Sequence, residues 1–311
     1  MFVAIVGALA AVASIGAQQP VQPAGREPSW AFPAINGSLP VEEGPKNVPG
    51  SARSYTPAQI DDLSNPPDWF PDDHAPAPAL VQKGHGAALA CGACHLMSGE
   101  GHPESAGLTG FTAGYLTQQM ADFKSGARKD AARMNAIAKD VSDEESRQVA
   151  EWLAALKPGS WTKVVEADTV PKTFVGQGRM RFVQSGGGTE PIGNRIITVP
   201  QDQARARNRD PRSGFIAYVP PGSIARGKAL VDTGGAGKTI ACGICHGDSM
   251  RGLGNVPRVA GLHPIYIARQ LYIFQNGERA GIGSQLMKKP VAQLKDADIV
   301  AIAAYLGSLA P

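Results

Sequence analysis

The feature that most limits how this chain can fold is an internal repeat, in which a set of residues recurs at a fixed offset of 151 positions. One copy opens on CGACH at 91–95 and the other on CGICH at 242–246. The matched residues are Cys91, Cys94, His95, Gly101, Gly110, Tyr115, Gln119, Phe123, Gly126 and Arg128, which recur as Cys242, Cys245, His246, Gly252, Gly261, Tyr266, Gln270, Phe274, Gly277 and Arg279. So many coincidences at one offset indicate a duplicated unit.

Helical patterns accompany the repeat. In the first unit Tyr115, Gln119 and Phe123 are spaced i, i+4, i+8, which places them on one face of a middle helix, and the second unit has the same spacing. Each unit also ends in a segment with one apolar helical face. Between these helices the offset becomes 153, and Met134 then corresponds to Met287. We therefore predict an all-α fold for both units.

All four cysteines lie in the two C-x-x-C-H motifs, as Cys91, Cys94, Cys242 and Cys245. This motif is the attachment sequence of a c-type haem, because two thiols bond to one edge of the porphyrin and the next histidine lies beneath the iron. Paired cysteines also occur in thioredoxin-like sites, zinc sites and structural disulfides. A thioredoxin-like site needs neighbouring strands, which the sequence around the motifs does not predict. A zinc site needs two C-x-x-C pairs that are closer in sequence than these, and a structural disulfide gives the histidines no role. The motifs therefore predict two covalently bound haem c groups.

Each haem iron has two axial positions, and His95 and His246 are expected to fill one apiece. Met97 lies two residues after His95 and so begins on the same side of the porphyrin. Met134 and Met287 follow their histidines by 39 and 41 residues, far enough for the chain to pass around the haem edge. We therefore predict the axial pairs His95/Met134 and His246/Met287. A centre with both axial positions filled moves electrons and leaves no site for oxygen or peroxide.

Two further matched pairs are candidates for contact with the cofactors. Arg128 and Arg279 follow the middle helices, and guanidinium groups suit the carboxylates of haem propionates. The alternative is that both arginines are exposed to solvent. Tyr115 and Tyr266 either line the haem pockets with their polar ends or belong to the core.

The segments outside the repeat predict an exported protein with additional parts. Residues 1–17 are apolar and end in small residues, which is typical of an export signal or a retained N-terminal anchor, although a basic n-region is missing. Residues 18–78 are rich in proline yet contain aromatics, so we expect an extended arm packed on a neighbouring surface. Residues 159–222 alternate in polarity, which indicates a connector with short strands. The two helical domains are then 79–158 and 223–311.

Charge and hydropathy exclude some partners. The net charge is only +3, and the sequence has no Lys/Arg cluster with interleaved aromatics, so a nucleic-acid partner is not expected. Apart from residues 1–17, no stretch is apolar for long enough to cross a bilayer. We expect a periplasmic protein whose membrane association, if any, is through its N-terminus.

The stretches CGACH…YLTQQMADFKSGAR…M and CGICHG…PRVAGLHPIYIARQLYIFQNGER…M resemble the two halves of dihaem cytochromes of the c4 family. The resemblance covers roughly half of the chain. It implies two class I cytochrome c domains in tandem, in each of which the first and last helices cross beside the haem, and it implies transfer of single electrons between periplasmic partners. It also implies that the Pro257 carbonyl orients His246, whereas Ala106 occupies the matching position of the first unit.

The leading hypothesis is an exported dihaem electron carrier or the cytochrome subunit of a dehydrogenase. A dehydrogenase would be the donor, and an oxidase or another cytochrome the acceptor. The arm and connector lie outside the c4 pattern and suggest a dedicated partner. Two alternatives remain, a dihaem peroxidase-like enzyme with one open haem and a haem-based sensor whose arm binds a partner. The matched Met134 and Met287 favour the carrier.

Overall fold

The computed structural model describes residues 27–130 and 132–311. The export signal or anchor expected at 1–17 lies outside these residues. No helix among the described residues is both long enough and apolar enough to span a membrane.

The described part of the arm packs around a small apolar cluster of its own. Its one α-helix, α1 (Pro57–Asp61), begins at Thr56, whose side chain accepts a hydrogen bond from the N–H of Gln59. The apolar cluster contains Trp69, which is 1% exposed. The indole N–H of Trp69 donates to the carbonyl of Asn208 at 2.8 Å, so the arm lies against the connector.

The described residues of the first domain form five helices. They are α2 (Ala79–Gln82), α3 (Cys91–His95), α4 (Ala113–Ser125), α5 (Met134–Asp140) and α6 (Asp143–Ala155). The predicted middle and final helices are confirmed as α4 and α6, which pack against each other. Ser142 and Glu145 cap the start of α6 reciprocally, and this arrangement satisfies backbone N–H groups that the first helical turn leaves unpaired.

The connector carries the strands. They are β1 (Thr162–Glu166), β2 (Thr169–Pro171), β3 (Thr173–Val175), β4 (Arg181–Val183), β5 (Thr189–Pro191), β6 (Ile197–Pro200) and β7 (Phe215–Val219), with α7 (Gln203–Arg207) before β7. One sheet has the order β1-β7-β6, where β1 is parallel and β6 antiparallel to β7. The pairs β2/β5 and β3/β4 are separate antiparallel ladders. An all-α description therefore fits the two haem domains and not the connector.

The second domain contains α8 (Ser223–Thr233), α9 (Gly243–His246), α10 (Pro264–Gln275), α11 (Lys288–Val291) and α12 (Asp296–Ser308), with a 3₁₀ turn at Ile282–Met287. Its first and last helices, α8 and α12, make the most extensive packing between elements in the described structure. The two backbones approach so closely at Gly227 that a Cβ there would overlap the carbonyl oxygen of Ala301. The glycine is therefore required by the helix crossing.

One apolar core joins both domains to the connector. Leu153 of α6, Ile299 of α12 and Val219 of β7 all belong to it. Strand β1 packs on α12, so the connector lies against the second domain. The two C-x-x-C-H motifs are thus held in one continuous body.

Candidate haem-binding sites

The two C-x-x-C-H motifs form short helices, α3 and α9, and their cysteines are free thiols. Burial raises the pKa of Cys91 to about 12 and that of Cys242 to about 11. The Cys91 and Cys242 thiols are therefore protonated at neutral pH, and neither pair of cysteines is joined as a disulfide. This is the state in which two thiols are available for covalent attachment of a haem.

The two motif histidines are oriented in the same way. The ring nitrogen Nδ1 of His95 lies 2.7 Å from the carbonyl oxygen of Ala106, and Nδ1 of His246 lies 2.7 Å from that of Pro257. The contact at Pro257 was implied by the family resemblance. Its counterpart at Ala106 shows that the carbonyl, and not the proline ring, is what the site needs.

This hydrogen bond assigns the chemistry of each ring. A carbonyl can only accept, so Nδ1 carries the proton and Nε2 keeps the lone pair that a metal binds. Burial lowers the pKa of both His95 and His246, which keeps the imidazoles neutral. Both histidines therefore fit the role of axial ligand.

The candidate methionines occupy corresponding places. Met134 is the first residue of α5, and its N–H donates to Asp130 Oδ2 at 2.9 Å. Met287 ends the 3₁₀ turn of the second domain, and both methionines are partly buried. Their ligation of iron stays a prediction. Met97 is 4% exposed and packs on Gly92 of its own motif, which agrees with a packing role.

Arg128 reaches out of the first domain into the second. Its Nη2 donates to Tyr266 Oη at 3.3 Å and to Gln270 Oε1 at 3.0 Å, while Nη1 donates to Gln119 Oε1 of its own domain at 2.8 Å. Only 6% of Arg128 is exposed, so the alternative of a solvent-exposed arginine is wrong.

Arg279 repeats the pattern in reverse. Its Nη2 donates to Tyr115 Oη at 2.7 Å and to Gln119 Oε1 at 2.8 Å, both in the first domain, and Nη1 donates to Gln270 Oε1 at 2.8 Å. The backbones of Arg128 and Arg279 also form an antiparallel bridge. Together Arg128, Arg279, Tyr115, Tyr266, Gln119 and Gln270 make one buried group between the domains, which we call the arginine cluster.

Sequence reasoning treated the members of the arginine cluster one domain at a time and missed that they meet. Gln119 and Gln270 were visible as matched positions on the same helix faces as the tyrosines. What the sequence does not contain is the relative placement of the two domains. A duplicated unit can produce such reciprocal contacts only where the copies face each other across a pseudo-twofold axis.

The arginine cluster fits anionic groups of a cofactor. The Nε atoms of Arg128 and Arg279 are buried and lack hydrogen-bond partners among the described residues. Burial, followed by the charge of Arg279, lowers the pKa of Arg128. Two buried cations side by side with free N–H groups are expected to need nearby carboxylates. Haem propionates meet this requirement, so the residues present fit the two predicted cofactors.

The first motif has a neighbour that the sequence did not reveal. Arg209, between α7 and β7 in the connector, donates from Nη1 to the carbonyl of Ala93 and from Nε to that of Ile60 at 2.8 Å. Its backbone is left-handed, with φ of 56°, which is uncommon for a residue other than glycine. One guanidinium thus ties the arm and the connector to the haem motif of the first domain.

Comparison with known proteins agrees with this geometry. The family model described as Cytochrome c matches residues 224–310. Cytochrome c4 of Pseudomonas aeruginosa is 26% identical over 230 residues, covering 73% of this chain and 87% of that protein. The thiosulfate dehydrogenase electron acceptor of Stutzerimonas stutzeri is 25% identical over 229 residues, covering 72% of this chain and 80% of that protein.

A further relative decides the family. Cytochrome c-554(548) of Halomonas halodenitrificans is 36% identical over 76 residues, which are 24% of this chain and 90% of that protein. The chain belongs to the cytochrome c family. It is a dihaem c-type cytochrome similar to cytochrome c4, with two covalently bound haem c groups. This cytochrome is an electron carrier and not an enzyme.

Proposed function

We propose that this cytochrome accepts single electrons from a periplasmic dehydrogenase and passes them to an oxidase or to another cytochrome. The observation that carries the proposal is the equivalence of the two sites. Each has a histidine oriented by a carbonyl, and each has a methionine at the corresponding place beyond the middle helix. Such symmetry favours two centres of the same kind over one carrier centre and one open catalytic centre.

When bound, each haem supplies a one-electron couple between Fe(III) and Fe(II). The residues of this chain would hold it at its edge and at its iron. The cysteines fix its edge, and the histidines are oriented with Nε2 free for iron. Met134 and Met287 would supply thioether ligands to the iron, and thioether ligation would favour Fe(II) and a higher reduction potential.

The arginine cluster would bind the propionates of the two haems. The Nε atoms of Arg128 and Arg279 have no hydrogen-bond partner in the described part of the chain and are available to such a carboxylate, and their terminal nitrogens are already held by the tyrosines and glutamines. A guanidinium that is fixed before the ligand arrives loses little side-chain freedom when it pairs. The cluster would therefore position both haems relative to each other.

The dehydrogenase assignment has a separate basis. One relative is a thiosulfate dehydrogenase electron acceptor, and the match covers 72% of this chain. The periplasmic location is supported by the apolar N-terminal run and by the covalent haem chemistry of the motifs. The domain limits 79–158 and 223–311 belong to the same proposal.

The test is carbon monoxide binding and the near-infrared sulfur-to-iron band, measured on wild type, Met134→Leu and Met287→Leu. We expect the wild type to resist carbon monoxide, and each variant to lose about half of the band and bind carbon monoxide at one haem. Met97→Leu is the matched control, because Met97 lies beside its motif but packs in the core, and it should keep the full band. Tight carbon monoxide binding by the wild type would instead support the peroxidase-like alternative.

A further inference from the structure

The duplication allows the surroundings of the two haem motifs to be compared position by position. The residue before the second cysteine is Ala93 in the first domain and Ile244 in the second. Ala93 is 0% exposed and Ile244 is 72% exposed. The residue at this position is therefore buried in the first domain and exposed in the second.

A second matched position shows the same contrast. His102 and Leu253 each begin an equivalent two-residue bridge, with Ser105 and Val256 respectively. His102 is 8% exposed, whereas Leu253 is 66% exposed. An apolar residue thus lies in solvent where its counterpart is buried.

The arm and the connector cover these positions in the first domain. Arg209 of the connector covers Ala93, and the indole N–H of Trp161 donates to the carbonyl of Gly101 at 3.2 Å. Glu100 accepts from the N–H of Gly159 at 2.6 Å, so the start of the connector also lies on this face. The arm adds a backbone hydrogen bond from Ala90 to Leu63.

The open face of the second domain extends onto the segment that contains Met287. Thr239, just before the motif, donates from Oγ1 to the carbonyl of Pro290 at 2.8 Å, which holds the two segments together. Ile282 and Leu286 on that segment are 87% and 70% exposed. We call the exposed residues Ile244 and Leu253 of the motif segment and Ile282 and Leu286 of the Met287 segment the open apolar face. Exposed apolar residues concentrated in this way mark interaction sites.

The charge of this face is positive. Arg251, Lys288 and Lys289 are exposed, and none of them is ion-paired with a residue that the structure describes. Asp248 is the one exposed carboxylate within 244–254 and 282–289. At the position matched to Arg251 the first domain has Glu100, which is buried under the connector. The open face therefore differs from its covered counterpart by being both apolar and basic.

We propose that the open apolar face of the second domain is the docking surface for a redox partner protein, and that the partner presents an apolar centre with an acidic rim. This inference rests on the proposed carrier function and adds which domain the partner contacts. On the first domain the arm and connector already occupy the equivalent face. Complementary charge around an apolar centre would speed encounter and orient the partner.

The probe is oxidised plastocyanin, a small copper protein with apolar and acidic surface patches, mixed with the reduced holoprotein in a stopped-flow experiment at low salt. Ile244→Glu and Leu253→Glu are each expected to lower the second-order rate constant by about 5- to 30-fold, as for the loss of a central apolar contact. Arg251→Glu is expected to flatten the dependence on salt. Val41→Glu is the matched control, because Val41 is an apolar arm residue that is 93% exposed.

Oxidation by a neutral quinone separates this inference from the carrier function. Leu253→Glu, Arg251→Glu and Val41→Glu should react with the quinone as the wild type does, and failure of the wild type to do so would count against the carrier function itself. Rates with plastocyanin within twofold of wild type for both glutamate variants would overturn the docking surface. So would a wild-type dimer that Leu253→Glu dissociates in sedimentation velocity, since the occupant would then be a second copy of the chain.

Discussion

Arg128 and Arg279 occupy equivalent positions in the two halves of the chain, and each donates hydrogen bonds to the tyrosine and the glutamine of the opposite domain. Their backbones are bridged as well. The contact between the domains is therefore built from the same residues used twice. The Nε atoms of the same guanidiniums lack partners among the residues that the structure describes, so the predicted propionate sites coincide with the interface.

Replacing Arg128 by Gln should destabilise the holoprotein by about 1–3 kcal/mol, because Tyr266 and Gln270 would lose a buried partner. Urea unfolding followed by circular dichroism measures this. Arg147 is the control, since it lies on the surface of α6 and pairs with exposed glutamates. Arg147→Gln should change the free energy of unfolding by less than about 1 kcal/mol. Equal effects of the two substitutions would contradict a structural role for the arginine cluster.

The two tyrosines of the arginine cluster give a graded prediction. Tyr115 Oη lies 2.7 Å from Arg279 Nη2, and Tyr266 Oη lies 3.3 Å from Arg128 Nη2. Tyr115→Phe should therefore cost more, about 1–2 kcal/mol, than Tyr266→Phe, because the shorter bond is the stronger one. The same unfolding experiment compares the two variants directly. A larger loss for Tyr266→Phe would reverse the order that the geometry predicts.

The substitution Arg209→Gly is expected to have two opposing effects on the free energy of unfolding. Glycine relieves the left-handed backbone, which is worth about 1 kcal/mol, but it removes the guanidinium from the carbonyls of Ala93 and Ile60. Two buried acceptors then lose a charged donor, at about 1–3 kcal/mol each. We expect net destabilisation and faster proteolysis of the arm around α1. A more stable Arg209→Gly variant would show that strain, and not anchoring, dominates at this residue.

The buried imidazole of His263 is expected to make the folded protein less stable in acid. Its burial, aided by Arg258 and Arg269, lowers the pKa from 6.5 to about 3. The unfolded chain therefore binds this proton below pH 6.5 while the folded chain does not until about pH 3. Stability should fall as the pH decreases through this window, by up to about 1.4 kcal/mol per pH unit. The folded imidazole stays neutral and contacts Thr162 Oγ1 at 2.8 Å.

The check is urea unfolding between pH 7 and pH 4 for wild type and His263→Asn. The variant should be less stable at pH 7, because it loses the packed imidazole, and its stability should depend less steeply on pH. A variant whose pH profile is parallel to that of the wild type would show that His263 is not the group responsible.

Much of the haem chemistry was predictable because it is local. The C-x-x-C-H spacing fixes the relation of Cys91, Cys94 and His95 within one helical turn, whatever the rest of the chain does. The repeat then identified the candidate methionines and the middle and final helices. These inferences need only helical periodicity and one offset.

The contacts of Arg209 and of the arginine cluster could not be predicted, because they join residues far apart in sequence. Arg209 and Ala93 are separated by 116 positions, and Arg279 and Tyr115 by 164. No local pattern specifies such pairs. The connector shows the same limit, since short alternating segments predicted strands but not the pairing of β1 in parallel with β7.

The most direct test of the account is a reduction titration of the intact holoprotein, followed by visible absorption with and without carbon monoxide. Two closed, six-coordinate haems predict two one-electron steps of equal amplitude, both unchanged by carbon monoxide. A single step with the amplitude of one haem, or a step that carbon monoxide shifts, would contradict it.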